Sequence, residues 1–226
     1  MFRLRNLLLV LLFTSALHAQ RSDLGLWTTL SVNKDLGNKL VFNFDQEFRV
    51  RDNLTTVNLF YTNVGLTYKF NKNFRVAGTY RIINKHKEDG FWGIRHRLYA
   101  DVIARLKPGR FTIAYRSRLQ YEWRGYGYSA QFGNVPESYW RNLFKCSFKL
   151  NELFSPYIGT EMRWLIHDPR VAYHKGFDRT RFMGGVDYSI NKMHQIGFYG
   201  LYQKEWNISD PQTLYIIGIE YTINID

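Results

Sequence analysis

Among 226 residues there is one cysteine, Cys146, and there are five prolines. A lone thiol cannot close an intramolecular disulfide, so a small cross-linked secreted fold is excluded. No clustered Cys/His ligand spacing, GxSxG or HExxH motif occurs, which removes the common sequence signatures of zinc sites and hydrolases. Acidic residues are scarce: 19 Asp and Glu stand against 31 Lys and Arg, a formal net charge of +12. After the first residues no run approaches the ~20 consecutive apolar positions of a membrane helix. Mean hydropathy is only −0.35.

What is abundant is aromatic: 16 Tyr, 17 Phe and 6 Trp. Apolar content that is high in aromatics yet never concentrated must be spread as alternation, which is how a transmembrane barrel escapes a hydropathy plot. The start of the chain sets the expected compartment. Arg3 and Arg5 precede an apolar stretch from Leu7 to Phe13, and Ser15 to Ala19 supply small residues before Gln20. This pattern predicts a secretory signal peptide over 1–19, too short for a membrane span, with no cysteine at the cleavage point to carry lipid. Its removal takes two arginines and leaves +10. A basic chain raises nucleic-acid binding, but export argues against nucleic acid as the partner.

The clearest alternation runs from Phe91 to Arg124. One register of its first arm reads Ile94, His96, Leu98, Ala100, Val102, Ala104 and Leu106; the other reads Arg95, Arg97, Tyr99, Asp101, Ile103 and Arg105. Pro108-Gly109 reverses the chain, and the second arm sets Phe111, Ile113, Tyr115, Leu119, Tyr121 and Trp123 against Arg116, Arg118, Gln120, Glu122 and Arg124. A period of two means strands, one face apolar and the other charged. The same pattern recurs in Leu24–Lys34, Leu40–Arg51, Thr56–Phe70, Phe74–Lys87, Tyr139–Asn151, Ser155–Ile166, Phe177–Asn191, Gln195–Asn207 and Leu214–Ile225. Cys146 falls on the apolar face between Phe144 and Phe148, as a small hydrophobe.

Connections alternate short and long. Tight ones fall at Gly37, Lys72, Pro108, Glu152 and Lys192; longer ones lie near Asn53, Lys87, Tyr128, Val171 and Asp210. That asymmetry is expected of an outer-membrane barrel with short periplasmic turns and longer extracellular loops. A β-sandwich would also alternate, but it buries its apolar face, whereas here aromatics cluster near strand ends as in the girdles of a barrel. The expected fold is therefore all-β: one transmembrane antiparallel up-and-down barrel over 20–226. The segments number about eleven, and because single-chain bacterial barrels have even counts, twelve strands are preferred, with ten as the other option.

The layout resembles an uncharacterised family of Gram-negative outer-membrane barrels known only as a domain of unknown function. The resemblance covers nearly the whole mature chain. It rests on the opening hairpin from Trp27 to Asp45, Glu47-Phe48-Arg49, Tyr80-Arg81, Arg95-His96-Arg97 and Tyr115-Arg116-Ser117-Arg118. It implies the fold and the location and carries no established activity.

The inward registers collect Arg49, Arg81, Arg95, Arg97, Arg105, Arg116, Arg118, Arg124, Arg141, Lys145, Arg163, Arg179 and Arg181. Against them stand Asp45, Glu47, Asp101, Glu122, Glu161, Asp187, Glu205 and Glu220. Two arrangements follow. Arginines and carboxylates interlock into a hydrogen-bonded network that fills a narrow bore. Alternatively, surplus arginines, above all Arg95 and Arg97 set beside Arg116 and Arg118, form a positive track for an anion. The second makes the protein a monomeric porin-like channel or binding barrel for anionic small solutes or acidic oligosaccharides. Outer-membrane lipid and lipopolysaccharide would surround it. An occluded accessory barrel is the other possibility, docking a larger assembly through loops that carry Tyr126, Tyr128, Phe132 and Tyr173. Catalysis needs a nucleophile or water activator beside a histidine. Of His86, His96, His167, His174 and His194 only His167-Asp168 has a local partner, so no enzyme, cofactor or metal is expected.

Overall fold

The computed structural model describes residues 22–86, 90–124, 136–168 and 176–226. The expected leader and the aromatic loop residues Tyr126, Tyr128, Phe132 and Tyr173 lie outside them, as does His174. The described residues form eleven strands: β1 (Ser22–Asp35), β2 (Leu40–Arg51), β3 (Thr56–Lys69), β4 (Phe74–His86), β5 (Trp92–Leu106), β6 (Phe111–Arg124), β7 (Glu137–Phe148), β8 (Phe154–His167), β9 (Gly176–Ser189), β10 (His194–Glu205) and β11 (Thr213–Ile225). Each pairs antiparallel with its sequence neighbours, and β1 meets β11 to close the ring.

That closure departs from the even, wholly antiparallel barrel the alternation led us to prefer. With an odd number of meandering strands the first and last run the same way. Accordingly β1 and β11 pair in parallel, from Ser22 opposite Thr213 to Lys34 opposite Ile225. The segment count read directly from the alternation is the one the ring has.

The polarity of the molecule is that of a soluble protein turned inside out. Leu98, Val102, Leu119, Ile158, Phe182 and Ile217 are all exposed on the outer face, and Ile158 reaches 70%. Glu122, Glu161, Asp101 and Arg118 are buried. The buried apolar cluster is small, Trp27, Leu201 and Ile216. Exposing so much apolar surface to water would be strongly unfavourable, and lipid removes the penalty. Among the described residues no helix is long and apolar enough to cross a membrane, which says nothing of strands. Strands of 12 to 15 residues, tilted as in other barrels, are long enough to span a ~25 Å apolar band.

Aromatic contacts mark both borders of that band. At the short-turn end Tyr68 packs on Phe70, Phe70 on Phe74, Phe111 on Phe148 and Phe154 on Tyr188. At the long-loop end Trp140 packs on Trp164, Trp164 on Phe177 and Phe60 on Trp92.

Three short turns share one device. Asn71, Asn151 and Asn191 each turn the side-chain Oδ1 back to accept from the backbone N–H groups two and three residues on, at 2.7–2.9 Å. This Asx geometry replaces backbone partners the turn cannot offer. The register shifts, by contrast, lie toward the long-loop end, at Arg49/Val50, Ser138/Tyr139 and Arg163/Trp164.

A charged interior as candidate functional site

Alternation delivers one residue in two to the inside, so each strand contributes a column of polar side chains. Three cavities lie along the interior. One of about 670 Å³ opens toward the long loops between Asp23, Arg49, Lys85, Arg179 and Glu205. One of about 400 Å³ sits at the centre, lined from every strand. One of about 480 Å³ opens between the short turns, beside Arg75 and Arg105. A larger groove of about 1000 Å³ is on the outside, where Gly78 and Ala100 leave a dent among Leu66, Leu98 and Leu119. It is remote from the charges.

Around the central cavity stand Glu47, Arg49, Arg81, Arg97, Arg116, Arg118, Arg141, Glu161, Arg163, Arg179, Arg181 and Glu220, with Lys145 and Asp45. Glu161 accepts from three guanidinium groups on three strands: Arg116 at 2.8 Å, Arg141 at 2.5 Å and Arg181 at 3.1 Å. Glu122 accepts from two, Arg95 at 3.1 Å and Arg97 Nε at 2.8 Å. Asp101 and Arg118 form a two-pronged pair at 2.7 Å on each prong. Glu205 takes Arg179 at 2.5 Å, Glu137 takes Arg124 at 3.4 Å and Asp187 takes Lys145 at 3.6 Å. Glu47 pairs with Arg49 and accepts Tyr61 Oη at 2.5 Å and Thr29 Oγ1 at 3.0 Å.

Inward aromatics carry cations on their faces. Arg49 lies 3.5 Å from the Trp27 ring centroid, Arg81 3.5 Å from Tyr61, Arg118 3.8 Å from Tyr99 and Lys145 3.5 Å from Tyr157. A weakly hydrated guanidinium gains from a desolvated ring face while its edges stay free for hydrogen bonds. Arg81 uses that freedom to donate from Nε to Asn63 at 2.6 Å. The Tyr199 ring needs a further concession from the wall, because a Cβ at Gly218 would fall 1.9 Å from its Cζ. Only glycine lets that ring lie flat on β11.

One expectation is corrected here. Arg95 and Arg97 do not stand beside Arg116 and Arg118. The β5–β6 register puts Arg95 opposite Arg124, Arg97 opposite Glu122, and Asp101 opposite Arg118. Acids face Arg97 and Arg118 across this pair of strands, while Arg95 faces Arg124. Arg105 lies apart, at the short-turn cavity.

Asp178 and Glu137 are among the inward acids that escaped the sequence reading, as are Asp23 and Asp35 at the two mouths. Asp178 belongs to the outward register by strict alternation, but the register shift in β8–β9 turns it inward to fork Arg163 at 2.8 and 2.7 Å. Glu137, assigned to a loop, begins β7 and accepts Tyr139 Oη at 2.6 Å. No signal in the sequence marked them: Arg163 and Arg179 face one another across β8–β9, a like-charge pair that calls for a nearby carboxylate, only once the register is known.

The histidines are spread around the wall. His96 and His194 face outward, each with Nδ1 shared with a tyrosine hydroxyl, Tyr80 at 2.6 Å and Tyr221 at 2.8 Å. His86 packs on Trp92. Asp168 is buried beside His167 at the long-loop end, and burial raises its carboxyl above the ordinary carboxylate range. Among the described residues no three His, Cys, Asp or Glu side chains converge as a metal site.

Comparison with known proteins adds a family and a fold. A family described as protein of unknown function (DUF2490) matches residues 24–214. None of the curated proteins matches the chain. Among solved structures, the NanC porin in a rhombohedral crystal form superposes with a TM-score of 0.52 at 15% identity, covering 79% of this chain and 84% of that one. A bacterial polysaccharide outer membrane secretin gives 0.42 at 13% identity, over 78% of this chain and 72% of the other. The first likeness shows a porin-like barrel fold.

Proposed function

The chain belongs to the family of proteins of unknown function DUF2490, and we propose that this barrel is a porin-like channel or binding barrel of the Gram-negative outer membrane, admitting small anionic solutes. The observation that carries the reading is the uneven sharing of charge: three guanidinium groups, from Arg116, Arg141 and Arg181, converge on one carboxylate, Glu161. One acid cannot neutralise three cations. The surplus faces a bore with low-dielectric walls, which concentrates anions and repels cations. Arginines anchored on aromatic faces are held open for a passing carboxylate or phosphate.

The location follows from the lipid-facing belt and from the expected leader over 1–19. The short turns face the periplasm and the longer loops face outward, with lipid and lipopolysaccharide against the belt. The partner inside is an anionic small solute or acidic oligosaccharide. No catalysis and no nucleic-acid partner are assigned. A second reading, an occluded accessory barrel, draws on the burial of the same groups, Glu122 at 4% and Glu161 at 5% exposure.

Planar-bilayer recordings of the refolded barrel decide between them. In a salt gradient the reversal potential is expected to follow the anion, and Arg116→Gln with Arg141→Gln and Arg181→Gln to abolish or invert that preference. Cation preference in the parent protein sinks the anion reading. Folded, inserted barrels that pass no current sink the channel and leave the occluded barrel.

A further inference from the structure

Two arginines without an acid partner lie away from the centre. On the inner face near the short turns a row runs across three strands: Lys69 on β3 lies opposite Arg75 on β4, and Arg105 on β5 stands two residues beyond Ile103, the partner of Arg75. Lys69 is neutralised by Asp35, at 2.9 and 2.8 Å. Neither Arg75 nor Arg105 has a carboxylate within ion-pair reach, and the Nε of each is buried with no hydrogen-bond partner among the described residues. Arg75 is the charged group acting on Arg105. Two like charges on adjacent strands, partly desolvated and without a counter-ion, are unfavourable as they stand.

The other side of the same mouth is built from donors. Thr67 Oγ1 donates to Asn43 at 2.6 Å, Asn43 Nδ2 to Asn33 at 2.9 Å, and Asn33 Nδ2 to Asn224 at 3.1 Å. Every bond in this chain points the same way, from β3 to β11, so it ends on Asn224 Oδ1 as acceptor and leaves the Asn224 N–H₂ as the terminal donor. The cavity of about 480 Å³ between the two walls contains all of these side chains, with Asp226 at the β11 rim. It has room for a small solute.

We propose that this mouth is a binding site for a divalent oxyanion of the phosphate type, held between the guanidinium groups of Arg75 and Arg105. Asp35 in this lining is taken by Lys69 and Asp226 stands at the β11 rim, so the two arginines, neither of them ion-paired, match a charge of two, and planar guanidinium edges suit tetrahedral oxyanions. A singly charged carboxylate would leave one arginine uncompensated. The site does not depend on a continuous bore. A barrel that binds phosphate here but conducts nothing keeps the site and loses the channel.

Inorganic phosphate titrated into the full barrel folded in detergent, against chloride at matched ionic strength, provides the test. Phosphate is expected to raise the melting temperature saturably and sulfate to compete, while acetate does neither. Arg75→Gln with Arg105→Gln should weaken binding by about tenfold or more, and Lys204→Gln, at the long-loop end over Trp206, should leave it unchanged. In the parent protein, phosphate should protect Arg75 and Arg105 from phenylglyoxal modification read by mass spectrometry, a readout that stands even if the double variant fails to fold. No phosphate-specific shift, no protection, or a loss equal to that of Lys204→Gln overturns the assignment.

Discussion

Glu161 is the residue on which the interior turns, since three strands send a guanidinium to its two oxygens. Replacing it by Gln keeps the shape and leaves Arg116, Arg141 and Arg181 facing one another without a counter-charge. Breaking a buried ionic group by removing one partner costs ~3–5 kcal/mol. Glu161→Gln is expected to lower unfolding stability by that amount in denaturant titrations of the refolded barrel. Asp45→Asn is the contrast: among the described residues Asp45 accepts from Ser31 and Asn63, at 2.9 and 2.8 Å, and makes no ion pair, so its loss should cost less than that of Glu161, about 1.5–3 kcal/mol, the worth of a hydrogen bond to a charged group. Equal small losses at both sites would mean that water already solvates the central arginines. Residues of this kind were legible as inward and charged. Their partners were not, because a partner lies on another strand at a height that only the register supplies.

The turns were legible as elements, for the opposite reason. Asn71, Asn151 and Asn191 stand in short polar links between apolar runs, and an Asx turn is closed within four residues, so nothing distant is needed to form it. Each side chain accepts two backbone N–H groups. Asn191→Ala removes both acceptors at once and is expected to cost ~1–2 kcal/mol, with Asn191→Asp losing much less. Equilibrium unfolding of the two variants checks the order. The bulges were not legible. In β9 the sequence alternates without interruption through Phe177, Asp178 and Arg179, yet Phe177 faces Trp164 while Arg179 faces Arg163. One extra residue in one strand reverses the side of everything between, and it arises from bending at the rim.

For the whole molecule the decisive property is the inversion of polarity, and it gives a prediction that depends on lipid. Leu98 and Arg97 are neighbours in β5; Leu98 is 49% exposed on the belt, and Arg97 is paired inside with Glu122. Leu98→Arg places a charge on the lipid face and should cost up to ~2–4 kcal/mol if Leu98 lies near the bilayer midplane. Folding equilibria in phospholipid vesicles measure it. The same substitution in a soluble sandwich would fall on a buried face and prevent folding in water altogether, so efficient folding into vesicles with a graded loss separates the two architectures.

The amino-acid sequence by itself determined the face of nearly every strand residue and the places where the chain turns. Both are local: alternation has a period of two and each short turn closes on itself. The tertiary structure alone decided the rest. Eleven strands rather than twelve meet through a parallel β1–β11 pair, Asp178 is recruited by a register shift, and the acids fall beside Arg97 and Arg118 while Arg75 and Arg105 receive none. Those outcomes are set by how far each strand slides against the next when the ring closes, a property shared by all the strands and written in no single segment.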